Sequence, residues 1–474
     1  MISKALRTAA VVVLAACAVA AAPPPAARGE AATAAYLSSI RSNPSLLLAF
    51  LAEMPKGGDL HNHLSGAIYA ESYLRWAVED RLCIATATLS IVSGTCDAAA
   101  GRPPVTDAIR NSDLYNRLID AMSMRHWDPS LNGHDHFFAT FGKFGIASVH
   151  TDRMLAEVAA RAAAERVSYL ELMVTADGGA AAVRGLTAGW DTDLARLRNS
   201  LIAAGFREAI VNTARKRLDE AEASQRQLLQ CDSDHPDGGC RVTVRYLHQV
   251  LRAGVPQAVF ADMLAGFEVA AADPRVVGLN LVQPEDDPRA VEDFRLHMTM
   301  LDFLHAQYPA VKITLHAGEL TEGLVPPETL RFHMRESVRM GHASRIGHGA
   351  GVMYEDDPIA LLREMAAKKV LVEIALSSND LILGVKGSRH PLRTYLKHGV
   401  PVALVTDDAG VSRSSLTLEY RRAVEEQGVD YRTLKRMARN SIDYSFVDGP
   451  TRSKLVAELD AAFRGFEARR WERR

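Results

Sequence analysis

The chain carries no surplus of charge of either sign. Across 474 residues, 55 Lys and Arg stand against 57 Asp and Glu, a net of −2, so no field of one sign exists to attract a polyanion or an anionic surface. Basic clusters interleaved with aromatics are missing, and aromatics make up only 6% of the residues. Composition therefore argues against a nucleic-acid partner. Cysteine is scarce too: there are five, none in a CxxC spacing, which leaves no zinc ribbon. No internal repeat is visible, which removes solenoid architectures.

What is present is the make-up of an ordinary globular protein, 48% hydrophobic and 24% charged, enough to bury a sizeable core. The N-terminus reads as a separate element. Lys4 and Arg7 precede an apolar, Ala/Val-rich run from Thr8 to Ala22, too short to span a bilayer but typical of a secretory signal. Leu14-Ala15-Ala16-Cys17 within it has the form of a lipobox, which would make Cys17 the lipidated first residue of the mature chain. Cleavage after one of the alanines near 20–22 is the other outcome left open. The division expected is a signal over 1–22, a Pro/Ala-rich flexible tether over 23–33 and a single domain over 34–474. Without Cys17, the cysteines form two close pairs, 83/96 and 231/240, each in a loop-like stretch. Local disulfides of this kind suit an exported, periplasmic or extracellular protein.

Residues 34–54 look helical and amphipathic, interrupted at Pro44. Beyond them come eight short β-branched runs: one ending at His61–His63, then Val167–Val174, Val242–Leu247, Val276–Val282, Val311–His316, Arg345–His348, Val370–Leu376 and Val400–Thr406. Apolar runs alternating with helical patterns indicate parallel strands buried on both faces, and eight of them close naturally into an α/β (β/α)8 TIM barrel. An N-terminal helical segment would precede it, and the gap over 64–166 must hold more than one helix. Arg81 to Arg110 is expected to be an insertion outside the barrel, and 205–240 a second excursion.

The polar residues fall where such a barrel builds its sites. His63, His316, His348, Asp407 and Asp408 all sit at or just past a strand's C-terminal end. His61 and His63 share a face, since side chains in extended chain repeat every two residues. His61, His63, His316 and Asp407 form a set of three imidazoles and a carboxylate, which suits a zinc ion with one position left for water. The chemistry indicated is metal-dependent hydrolysis. Glu373, inside an apolar strand, is expected to hydrogen-bond a ligand residue. Of the remaining histidines only His248, at a strand end, is placed near the pocket.

In order, these segments resemble the adenosine deaminase family, especially its secreted, growth-factor-like branch. The motifs are Met54-Pro55-Lys56-Gly57-Gly58-Asp59-Leu60-His61-Asn62-His63, His316-Ala317-Gly318-Glu319, Arg345-Ile346-Gly347-His348-Gly349, Glu373 with Ser377-Ser378-Asn379, and Thr406-Asp407-Asp408. The resemblance spans roughly residues 50–446. It implies one zinc per chain, Glu319 as the proton donor to purine N1, His348 beside the attacking water, and Asp408 facing N7. It also implies His63 and Ser65 near the ligand, with Gln283 at the purine edge. The activity it implies is hydrolytic deamination of adenosine or 2′-deoxyadenosine to the inosine form and ammonia.

Two positions depart from the family pattern. Ser65 stands where the intracellular members carry Asp, and Gln283-Pro284-Glu285 where a Gly is usual. Another aminopurine or a modified nucleoside is therefore the alternative substrate. A binuclear amidohydrolase would need a Lys at the fourth strand end, and Leu281-Val282-Gln283-Pro284 has none. The HxE…PCxxC signature of base-flipping zinc deaminases is absent. A non-catalytic extracellular nucleoside-binding or signalling protein would be expected to have lost a ligand or Glu319, and all are present. The partner implied is thus a small purine nucleoside, with a membrane reached only through lipid on Cys17 and a homodimer left open.

Overall fold

The computed structural model describes residues 25–128 and 133–469. The signal segment and Cys17 lie outside the described residues. Eight parallel strands run in chain order around the core: β1 (Gly57–His63), β2 (Val167–Val174), β3 (Thr243–Leu251), β4 (Val276–Val282), β5 (Lys312–Ala317), β6 (Arg345–His348), β7 (Leu371–Ile374) and β8 (Val402–Leu404). Every neighbouring pair is parallel. The last strand returns to the first through a bridge between Asn62 and Asp407, with the Asp407 N–H donating to the His61 carbonyl at 2.9 Å and the His63 N–H to the Asp407 carbonyl at 3.1 Å. Buried Asp59 supports this seam by accepting from the Thr406 hydroxyl at 2.5 Å and from the Asn62 amide at 3.1 Å. The result is the expected (β/α)8 barrel, with helices outside and no helix among the described residues long and apolar enough to cross a membrane.

Two helices precede the barrel. In α2 (Pro44–Glu53), Asn43 caps by accepting from the Leu46 N–H, and Pro44 occupies the first turn, where its missing N–H costs nothing. Buried Lys56 closes the other end by donating to the Leu51 and Met54 carbonyls. The preceding helix, α1 (Pro25–Ile40), begins inside the stretch expected to be a tether. An Ala-rich sequence has high helix propensity, and here the helix also has a place to dock. Leu37 and Ile40 are buried, and Glu30 pairs with Arg432 and Lys435.

The gap between β1 and β2 holds helices 70–79, 112–121, 134–144 and 151–164, with a small antiparallel hairpin of Cys83–Ala85 and Ser90–Val92 outside the barrel. A disulfide joins Cys83 to Cys96 and another joins Cys231 to Cys240. Residues 205–240 are less of an excursion than expected. Helix 206–228 buries Phe206, Ile210, Val211, Ala214 and Leu218, and so serves in the outer layer between β2 and β3.

A charged cluster crosses the barrel interior. Arg345 of β6, fully buried, donates to Glu171 of β2 at 2.5 Å and pairs with Glu373 of β7 at 2.6 Å. Its guanidinium lies 3.7 Å from the Phe446 ring centroid. Removing one member of such a cluster leaves uncompensated buried charge. Arg345→Leu should therefore lower stability by about 3–5 kcal/mol, read as a shift of the urea midpoint; a change below about 1 kcal/mol would show that the carboxylates find other partners.

Candidate metal centre and active site

Four side chains from β1, β5 and the turn after β8 converge at the C-terminal mouth of the barrel: His61, His63, His316 and Asp407. His61 Nε2 lies 3.0 Å from His316 Nε2 and 3.4 Å from Asp407 Oδ1. His63 Nε2 lies 3.2 Å from His316 Nε2 and 3.3 Å from the same oxygen. A tetrahedron with metal–ligand bonds of about 2.1 Å has edges of about 3.4 Å, so the spacing is that of one coordination shell.

The hydrogen bonds behind these atoms say which face of each ring looks inward. His61 Nδ1 donates to Glu373 Oε2 at 2.7 Å, and His316 Nδ1 donates to Asn280 Oδ1 at 3.0 Å. Both rings therefore direct Nε2 lone pairs toward the same point. Asp407 Oδ1 is buried there with no hydrogen-bond partner among the described residues, while Oδ2 accepts from Ser378 at 2.6 Å. Lone pairs and a carboxylate oxygen packed this closely repel unless a cation stands between them. Burial alone would lower the His61 imidazole, yet the nearby carboxylates of Asp407 and Glu373 outweigh burial and carry it up to about 10. The site demands positive charge, and a divalent cation fits the donor set.

Three proton-carrying groups surround this set. Glu319 follows Gly318, whose positive φ turns the chain at the end of β5. Both backbone N–H groups of that turn, on Gly318 and Glu319, donate to the buried carboxylate of Glu285 at 3.1 and 2.7 Å. Burial, then the charge of Asp407, hold the Glu319 carboxyl well above the ordinary range. The same two causes raise Asp408. His348, at the end of β6, has Nδ1 3.6 Å from Glu319 Oε1 and Nε2 3.9 Å from Asp407 Oδ2, and burial lowers it to about 4.

Close approach is obtained with strain and with glycine. His348 and Asp407 both have φ near +60°, at 66° and 60°, a region costly for side chains other than Gly and tolerated where surroundings enforce it. A Cβ on Gly66 would stand 1.6 Å from Asp408 Oδ1, and one on Gly347 would stand 2.5 Å from His61 Cε1.

Ser65 lines a cavity of about 640 Å³ that opens beside the ends of β1, β2 and β3, together with Leu64, Met173, Thr175, Gln249, Asp152, Arg217 and Ser224. None of the four ligand side chains lines it, but Leu64 and Ser65 join it to His63. Gln283 is placed differently from the expectation. Its positive φ turns the side chain away, exposed, so that Oε1 accepts from the Ala253 N–H at 2.9 Å. The inward residue of that loop is Glu285. His248 does not line the pocket either; it is fully buried, 3.0 Å from Asp262. Ser378 and Asn379 of the expected seventh-strand motif are in place, and beyond the expected site residues the site recruits Asn280, Glu285 and buried Arg252, which donates to the His316 carbonyl. A polar residue inside the apolar run of β4 was the signal available for Asn280.

A family model described as adenosine deaminase matches residues 113–462. The adenine deaminase of Rhizobium leguminosarum bv. trifolii is 30% identical over 197 residues, 41% of this chain and 56% of that protein. The chain thus spans about half the length of the adenine deaminases it matches. The adenosine deaminase of Clostridium perfringens is 23% identical over 413 residues, 86% of this chain and 99% of that protein. Among solved structures, arabidopsis ADAL complexed with IMP superposes with a TM-score of 0.59 at 19% identity, covering 88% of this chain and 99% of that one, a likeness of fold. With the family model covering most of the barrel, this chain belongs to the adenosine deaminase family.

Proposed function

We propose that the protein is a zinc-dependent deaminase of 6-aminopurine nucleosides, converting adenosine and 2′-deoxyadenosine to inosine and 2′-deoxyinosine with release of ammonia. The observation that carries this reading is the overlap of two groups at Asp407: the four-ligand set and the trio of Glu319, His348 and Asp407. Zinc bound by His61, His63, His316 and Asp407 would polarise water for attack on the amino-bearing ring carbon. Glu319, whose carboxyl burial and the charge of Asp407 raise, is placed to give a proton to ring N1. Asp408, raised by the same causes, can donate to N7, which only accepts. Glu285 fixes the backbone from which Glu319 projects, and Ser378 fixes Asp407.

A second reading, a deaminase of a modified nucleoside, is favoured by the cavity at Ser65. Its volume of about 640 Å³ suits a substituent larger than ribose. Phosphate is disfavoured there, since among the described residues Arg217 is the one basic side chain of the lining and Asp152 and Glu220 oppose it. The two disulfides support export to an oxidising compartment, periplasmic or extracellular, with Cys17 as the candidate lipid anchor.

His316→Ala should lose both zinc and turnover, with metal content read by mass spectrometry. Glu319→Gln should keep the metal and lose about 10²–10⁴-fold in kcat, the usual contribution of a general acid. A metallated, active His316→Ala protein would remove the ligand assignment, and near-native turnover in Glu319→Gln would move the proton donor elsewhere. For substrate, kcat/KM should be similar for adenosine and deoxyadenosine, because the Ser65 hydroxyl binds ribose without a charge, and AMP should be poor. A strong preference for AMP or free adenine would overturn the nucleoside reading. Cys17→Ser should release the protein from the membrane fraction, whereas an already soluble wild type would rule out the anchor.

A further inference from the structure

Behind His348 lies a line of hydrogen bonds whose direction can be read from one end. The backbone N–H of Leu392 can only donate, and it points at Nδ1 of His390 from 3.1 Å. That nitrogen must present its lone pair, so the ring proton of His390 sits on Nε2. Nε2 lies 3.1 Å from Asn379 Oδ1, which accepts it. The amide of Asn379 is thereby oriented, and its Nδ2, a donor only, faces His348 Nδ1 at 3.0 Å. His348 Nδ1 must in turn accept. All three side chains are buried. His348 Nε2 is left buried with no hydrogen-bond partner among the described residues, facing Asp407 across 3.9 Å.

We propose that Asn379 and His390 are positioning residues that lock His348 in the Nε2–H tautomer, so that it offers the nucleophile a hydrogen bond and has no site to take its proton. The direction follows at each step from a group that has no alternative, beginning with a peptide N–H. Attack of water on the ring carbon forms a C–O bond and opens the C=N1 bond, whose nitrogen takes the Glu319 proton; with His348 Nε2 already protonated and Nδ1 occupied by the Asn379 amide, the proton freed from water goes to the emptied Glu319 carboxylate and not to His348. The role of His348, though not its tautomer, rests on the deaminase reading above. The lock also contrasts with His61 and His316, whose Nδ1 atoms donate and whose Nε2 atoms carry lone pairs.

Neutron diffraction from a deuterium-exchanged crystal of the metal-loaded protein tests the tautomer directly. Deuterium on His348 Nε2 alone is expected; deuterium on Nδ1, alone or with Nε2, overturns the lock. This measurement is independent of substrate, so it stands even if the deaminase reading fails. Kinetics test the role. Asn379→Asp accepts where the amide donated and forces a proton onto Nδ1, and should lower kcat by about 10²-fold with KM within about three-fold. His390→Leu frees the Asn379 amide to flip and should lower kcat, while His390→Gln, which keeps an N–H toward Asn379, should recover about ten-fold of that loss. Unchanged or raised kcat in Asn379→Asp, or no rescue by Gln, would overturn the positioning role. Metal content and circular dichroism of each variant separate misfolding from lost positioning.

Discussion

The carboxylate of Glu373 is the constraint on which the remainder of the site depends. Fully buried, it accepts from His61 Nδ1 and from Thr314, and pairs with Arg345. Burial pushes such a group toward neutrality, but Arg345 and His61 outweigh it and hold the carboxyl below its ordinary range. An ionised Glu373 keeps the His61 proton on Nδ1, and only then is Nε2 free to face the centre. Arg345 makes this affordable by compensating Glu373 and Glu171 together. The barrel's interior ion cluster and the first ligand of the metal centre are thus one electrostatic unit, reaching from the middle of the sheet to its mouth.

The three imidazoles deepest in the site differ by what stands behind them. His61 is backed by a carboxylate, His316 by the amide oxygen of Asn280, and His348 by the amide nitrogen of Asn379. A charged acceptor, a neutral acceptor and a neutral donor give a graded series of basicity from one side-chain type. Two rings turn lone pairs inward and the third turns a proton inward. Glu285 does the equivalent for Glu319 by holding its backbone instead of its side chain.

Much of this was legible in the chain because periodicity and position carry it. Eight apolar runs mark eight strands, and the residues with ligand chemistry stand at their ends. The backing groups were harder to see. Asn280 and Glu171 show only as polar letters inside apolar runs, and their partners lie elsewhere in the sequence, with Glu171 and Arg345 at a separation of 174. Asn379 and His390 lie beyond the strand, where a loop reading assigns no direction to a side chain. Gln283 was misplaced because a positive φ reverses the side chain without leaving a mark in the sequence. The stretch before residue 34 suggests a tether because its alanines cannot build a core; they can still form a helix, and Glu30 on it pairs with Arg432 and Lys435 near the far end of the chain.

The barrel seam joins residues that are far apart in the chain, with Asn62 and Thr406 in hydrogen-bond contact across a separation of 344. Two ligands come from the first strand, one from the fifth and the last from the turn beyond the eighth. A partial product shorter than 407 residues lacks the last ligand, so until then a nascent chain offers a cation only scattered imidazoles. The coordination shell comes into being when the last strand docks beside the first. Metal capture is therefore a late event, tied to the docking that closes the barrel and not to the synthesis of any single ligand segment.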